Sequence, residues 1–245
     1  MKLLEPLTPD PRAPLARAHP LAKIGAALIL MFALFVTIDP LTPTLMLIAL
    51  VIAIPLIGIP ARALLRRALP VFIAAIGIGF FNALLSGDVV GGIAIGLRLT
   101  SIALTGIVAV ASIDPTDLSD ALVEHLHAPR RFTVGALAAF RLMPLFADEW
   151  QTIGLARRAR GLDNRRVTAF FPMTRSLLVV AIRRATRLAV AMDGRGFADP
   201  GCRTLARPRT VTRRDWALVA ASLAVAVLAS AASIAAGTWR FLLVR

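Results

Sequence analysis

Five stretches of this chain are longer and more apolar than the core elements of a soluble domain: residues 22–38, 41–59, 69–85, 89–113 and 216–237. A helix needs about 17–25 consecutive apolar residues to cross a bilayer, and each stretch falls within or close to that range. Spread evenly, 58% hydrophobic residues would only modestly exceed the roughly 45–50% of an average soluble domain. Concentrated in runs, the excess reads as membrane spans. The expected fold is therefore all-α, a polytopic membrane protein with about five transmembrane helices. Residues 1–113 form a membrane domain of about four spans, residues 114–214 a cytoplasmic domain of amphipathic helices, and residues 215–245 a last transmembrane helix.

Charge supplies the orientation. The chain carries a formal +14, and residues 128–214 alone hold 18 arginines, no lysine and five acids. Bases alternate along the connections. Lys2, Arg12, Arg17 and Lys23 precede or open the first run, and none follows it at Asp39-Pro40. Arg62, Arg66 and Arg67 follow the second, none follows the third at Ser86-Gly87-Asp88, and the arginine block follows the fourth. That is the positive-inside pattern with the N-terminus and the 114–214 block in the cytoplasm. Five spans then put the C-terminal tail outside, against the sign of Arg240 and Arg245, which a re-entrant or further segment would reconcile. Residues 1–20, with five prolines and several charges, read as a cytoplasmic lead-in rather than a cleavable leader. The single Cys202 cannot form an internal disulfide, so the fold needs no oxidising compartment.

Within the fourth run stands Arg98. An unpaired arginine at mid-bilayer costs about 2.5–3.5 kcal/mol on insertion scales, so it either faces the bundle interior or a partner, or it snorkels or caps a carbonyl. Gly91, Gly92, Gly96 and Gly106 on the same run permit close packing within the bundle or against another subunit.

The 114–214 block contains three amphipathic helices. Asp114-Pro115 starts the first, with Asp114 as N-cap, and it runs to about residue 127. The second covers about residues 133–160 with a kink at Pro144 and stops at Ala159-Arg160-Gly161, where Gly161 supplies a left-handed end. The third follows Pro172, from about residue 174 to residue 193, and stops at Gly194-Arg195-Gly196. The chain thus repeats one device: an amphipathic helix closed by an arginine between small residues. A lone example reads as a basic helix cap. Two in succession, on the cytoplasmic side of a polytopic protein, read as arginines whose planar donor forks insert into a partner's groove.

These triplets, with Asp114-Pro115-Thr116-Asp117-Leu118, Ala18-His19-Pro20-Leu21-Ala22-Lys23 and Gly96-Leu97-Arg98-Leu99, resemble the transmembrane T component of energy-coupling factor (ECF) vitamin and metal importers, and the likeness extends over nearly the whole chain. The resemblance implies coupling helices ending in the two triplets. Residues Ala159, Arg160, Gly161, Gly194, Arg195 and Gly196 would engage two ATP-binding-cassette ATPases, and a separate membrane subunit would capture the substrate. It implies a chain that performs no chemistry itself, in a bacterial or archaeal cytoplasmic membrane. Gly194 stands where alanine is common in that family, a change that barely alters size.

Other classes fit less well. A conventional importer permease uses one coupling loop opened by Glu-Ala-Ala. Gly161 and Phe171-Pro172 match it loosely, but no Glu-Ala-Ala precedes them and Arg195 is left over. A phospholipid head-group transferase needs several carboxylates holding divalent metal, whereas only Asp193 and Asp199 are close, amid bases. His125 and His127, without a Cys or third His nearby, read as solvated rather than metal-ligating. No Gly-Lys-Ser/Thr loop is present to cradle a phosphate, so no cofactor is expected. The arginines punctuate apolar helix faces, which favours secondary contact with the lipid bilayer and argues against nucleic acid.

Overall fold

The computed structural model describes residues 13–37, 39–162, 169–196 and 210–237, and every regular element among them is a helix. The chain divides into two compact units, one of Met1–Leu126 with Arg209–Arg245, the other of His127–Pro208.

The first unit contains α1 (Pro20–Val36), α2 (Leu41–Ile57), α3 (Ala61–Ser86), α4 (Val89–Ala111), α5 (Pro115–His125) and, after the second unit, α8 (Arg213–Ala235). Most of these starts are fixed by a side chain that satisfies orphan backbone donors of the first turn. The His19 ring accepts from the Leu21 N–H, with Pro20 preset at the first helical position. Asp39 accepts from the backbone N–H and the hydroxyl of Thr42, at 2.8 and 2.7 Å. Asp88 accepts from Gly91, and Asp114 from Thr116, as the sequence implies for Asp114-Pro115. Thr212 and Asp215 form a reciprocal capping box on α8. Gly58 and Gly87 end α2 and α3 with φ of 77° and 69°, a region open to glycine.

Each of the five apolar runs falls mostly on a helix. Three of these, α3, α4 and α8, are long and apolar enough to cross a membrane, while α1 and α2 are apolar but 17 residues each. The sequence places Arg62, Arg66 and Arg67 in a connecting loop; instead they form the opening turns of α3, directly after Pro60. Arginine is a good helix former, and its long stem lets the charged head reach beyond an apolar surface.

α4 lies against α1, α2 and α3; α8 against α1 and α2; α5 against α1. By packing, α5 belongs to the first unit. Two apolar clusters fill the bundle. One is built on Leu50, Ile59, Leu64, Ala68, Leu104 and Val108, the other on Leu34, Met46, Ala226 and Ala229. Outward faces carry Phe32, Ile52, Ile76, Phe80, Leu84 and Leu228, all exposed. That area of apolar surface would be an aggregation patch in water and is ordinary against lipid tails.

Among the described residues, the second unit consists of α6 (Arg130–Ala159) and α7 (Phe170–Asp193). Helix α6 runs on through Pro144. α7 begins before Pro172 rather than after it, so that the proline sits in the first turn, where its missing N–H leaves no intrahelical bond unmade. The two helices meet where Trp150 packs on Phe170, with ring centroids 5.8 Å apart, beside buried Gly154 and Met173. Elsewhere their apolar side chains are open: Phe132, Phe140 and Leu155 on α6, and Phe171, Ile182 and Val190 on α7.

Candidate functional site

The two arginine triplets share one backbone construction. At the end of α6 the Arg160 N–H donates to Arg157 O at 3.0 Å and the Gly161 N–H to Arg158 O at 2.9 Å, with Gly161 at φ 74°. The Leu162 N–H then reaches back to Arg157 O at 3.1 Å, which completes a Schellman end. After α7 the Arg195 N–H donates to Met192 O at 3.1 Å and the Gly196 N–H to Asp193 O at 2.9 Å, with Gly196 at φ 70°. Gly194 keeps helical angles, so the helical path continues one step further and Arg195 occupies the position that Arg160 has on α6. Both arginines are exposed, as are Ala159, Gly161 and Gly194, while Gly196 is half-buried. In each triplet the glycine after the arginine takes the left-handed conformation that ends the helix, and the arginine ahead of it is exposed.

Arg98 is placed by α1. Its Nη2 donates to the Phe35 carbonyl at 2.8 Å, and the guanidinium stands 5.6 Å from the Phe35 ring centroid. That carbonyl belongs to the last turn of α1, where no downstream N–H remains to receive it. A cation there also complements the negative end of the helix dipole.

The glycines of α4 separate by role. Gly92 and Gly96 face α3. A Cβ on Gly92 would come within 2.5 Å of the Ala83 Cβ and 2.6 Å of the Gly79 carbonyl, and one on Gly96 within 3.4 Å of the Ala75 carbonyl. Gly91 instead donates its N–H to Asp88, whose carboxylate an added Cβ would meet at 2.7 Å. Gly106 lies against the Met31 side chain.

One junction has no counterpart in the sequence reading. His19 N–H donates to Asp215 Oδ1, which ties the start of α1 to the start of α8 across 196 residues. The other oxygen of Asp215 accepts from the N–H and hydroxyl of Thr212, each at 2.7 Å. His125, at the end of α5, stands edge-on to the His19 ring with centroids 4.8 Å apart. Lys23 Nζ donates to Ala16 O at 2.9 Å and to Ser112 O at 2.7 Å, joining the segment before α1 to the end of α4. The His19-Pro20 and Lys23 pattern therefore binds four helix ends at one face of the bundle. His19 and Asp215 are each 3% exposed, so their hydrogen bonds have no water to replace them. Asp215→Ala is expected to lower stability by about 1–3 kcal/mol, because it orphans the buried His19 N–H and removes the Thr212 capping bonds. Thermal unfolding of the purified chain in detergent would show it, and an unchanged midpoint would contradict the assignment.

A helical membrane bundle, with a unit of two amphipathic helices that end in matched arginine stops, defines an all-α polytopic membrane protein. Comparison with known proteins makes the class specific. The model of the CbiQ family, described as cobalt transport protein, matches residues 11–204, and the chain belongs to that family. Among curated relatives it is 30% identical over 164 residues to the energy-coupling factor transporter transmembrane protein EcfT of Bacillus subtilis strain 168, covering 62% of each chain. With the protein of that name from Limosilactobacillus fermentum it shares 35% identity over 160 residues, 60% of each chain. The chain thus spans about three fifths of the length of these relatives. With that of Heliobacterium modesticaldum the likeness is 26% over 245 residues, 88% of this chain and 92% of the relative.

Proposed function

We propose that this chain is the energy-coupling transmembrane subunit of an ECF-type importer, and that Arg160 and Arg195 each seat in a groove of one of two cytoplasmic ATPases. The observation that carries the reading is the matched geometry of the two helix ends. Two exposed arginines, held by the same backbone hydrogen bonds and the same left-handed glycine, suit two copies of one kind of socket. An arginine fork in such a socket pairs with carboxylates and carbonyls together. The names of the relatives support the same reading.

In this reading the open apolar faces of α6 and α7 receive a substrate-capture membrane subunit. Opening and closing of the ATPases then moves the two helices and transmits work to that subunit. The chain performs no chemistry of its own. It lies in a bacterial or archaeal cytoplasmic membrane with its N-terminus and the 114–214 block inside. The cargo is a vitamin or a metal ion, and its selection belongs to the capture subunit.

The test is co-purification of the tagged full chain from its native membranes. Two ATP-binding-cassette subunits and a small hydrophobic membrane protein are expected with it. Recovery of the chain with a second permease and an extracellular binding protein would overturn the proposal in favour of a conventional importer.

A further inference from the structure

Between α1, α2, α4 and α8 the bundle forms a half-open cavity of about 480 Å³. It runs from Lys23, Ile57, Ser112 and Leu218 at one end to Leu30, Ala49, Thr105 and Val225 at the other. At a rise of ~1.5 Å per residue that is a depth of about 10 Å. Small side chains create the space, among them Ala26, Ala49, Ala53, Ala109 and Ala221.

Its chemistry is specific. The lining holds four polar side chains, and each hydrogen-bonds within the protein. Thr105 donates to Ser101 O, Ser112 to Ala109 O, Ser222 to Val219 O, and Lys23 to Ala16 O and Ser112 O. The wall therefore asks nothing polar of an occupant. A mostly apolar opening of this size beside a bilayer is filled more readily by a hydrocarbon chain than by water. Pro14, Leu56 and Ala221 are exposed, so the cavity opens to the surface. Lys23 is the charged residue of the lining, and it stands at the same end as Arg213 and Arg214, about a turn before Leu218.

We infer that this cavity is a lipid site which takes one acyl chain of an anionic phospholipid, from the leaflet at the basic end of the bundle. The chain lies between α1, α2, α4 and α8, and the headgroup phosphate stays at the mouth near the exposed Arg213 and Arg214. The bilayer presents acyl chains at high local concentration beside the opening. An occupant of this kind completes the packing of helices whose facing residues are too small to meet.

The test uses the full-length chain in lipid nanodiscs containing phosphatidylglycerol with a photoactivatable diazirine in mid-chain. Phosphatidylcholine labelled in the same position serves as the neutral probe. Cross-links are expected on lining residues such as Leu30, Ala53 and Val225. They should saturate at low probe content, whereas labelling of the outer residues Phe32 and Ile76 rises in proportion to it. Ala53→Phe with Ala221→Phe should cut cavity labelling about tenfold by occupying the volume and leave the outer labelling unchanged. Ala53→Leu, a milder filling, should give a smaller loss in the same direction should the double variant fail to fold. Lining labels that never exceed the outer ones, or that persist when the cavity is filled, overturn the site. Equal labelling by the neutral probe overturns the anionic assignment.

Discussion

Arg160→Ala combined with Arg195→Ala is expected to abolish ATP-driven uptake and to release both ATPases during purification, while the chain still reaches the membrane. Truncating one partner of a buried charged contact costs about 2–5 kcal/mol, and each 1.4 kcal/mol is about a factor of ten in affinity. Loss at both ends of a two-site attachment removes any single-site hold as well. The effect on the chain itself should be small. Both side chains are exposed in the free subunit, and exposed substitutions usually stay within about 0.5 kcal/mol. Arginine-to-lysine variants should rescue poorly, since an ammonium keeps the charge and lacks the planar fork. Arg62→Ala, an exposed base in the opening turn of α3, is the control and should transport normally. Wild-type uptake by the double variant would remove the two arginines from the coupling mechanism.

Much of this fold is legible because membrane spans and helix caps are local signals. The apolar runs, Asp114-Pro115 and the glycines after the arginines each announce themselves within a few residues, and the helices follow. Where the reading missed, the reason is physical. Arg62, Arg66 and Arg67 look like a loop because charge marks a membrane boundary, yet the boundary does not end a helix when long side chains can reach past it. Pro172 looks like a helix start, but proline is equally at home throughout a first turn, and α7 begins before it.

The junction at His19 was hidden for a different reason. Its motif is visible, but its partner Asp215 lies 196 residues away. Nothing in either neighbourhood encodes a pairing made by tertiary packing. Arg98 was open between a partner-facing role and a carbonyl cap. Its position on α4 could be read, but the Phe35 carbonyl it meets depends on how α1 crosses that helix. Gly79 is an intermediate case. The tight Gly87 turn fixes the register of α3 against α4, so Gly79 falls opposite Gly92 and Gly96 in an antiparallel pair. The turn and the glycines of α4 held that signal, but Gly79 went unread in the sequence.

Gly92→Leu is expected to give a large loss of stability in the membrane bundle. Helices in lipid gain little from hydrophobic exclusion, because lipid tails are as apolar as the side chains, and they associate through close van der Waals contact between small residues. At Gly92 the backbones of α3 and α4 are so near that even a Cβ would stand 2.9 Å from the Ala83 Cα and 2.6 Å from the Gly79 carbonyl. These neighbours are largely backbone, which cannot rotate aside, so relief requires the helices to separate. Helix α3 packs chiefly on α4, and separation there exposes the carbonyls and small residues of both. Overpacking of this kind costs about 1–3 kcal/mol and occasionally more; at about 2–4 °C per kcal/mol for a chain of this size, the thermal midpoint in detergent should fall by roughly 5–10 °C. Gly77→Leu is the matched control on α3. A Cβ there meets nothing within 4 Å, and leucine is the better helix former, so its midpoint should hold or rise. If Gly92→Leu unfolds at the wild-type temperature, the close approach of α3 and α4 is not what holds this pair together.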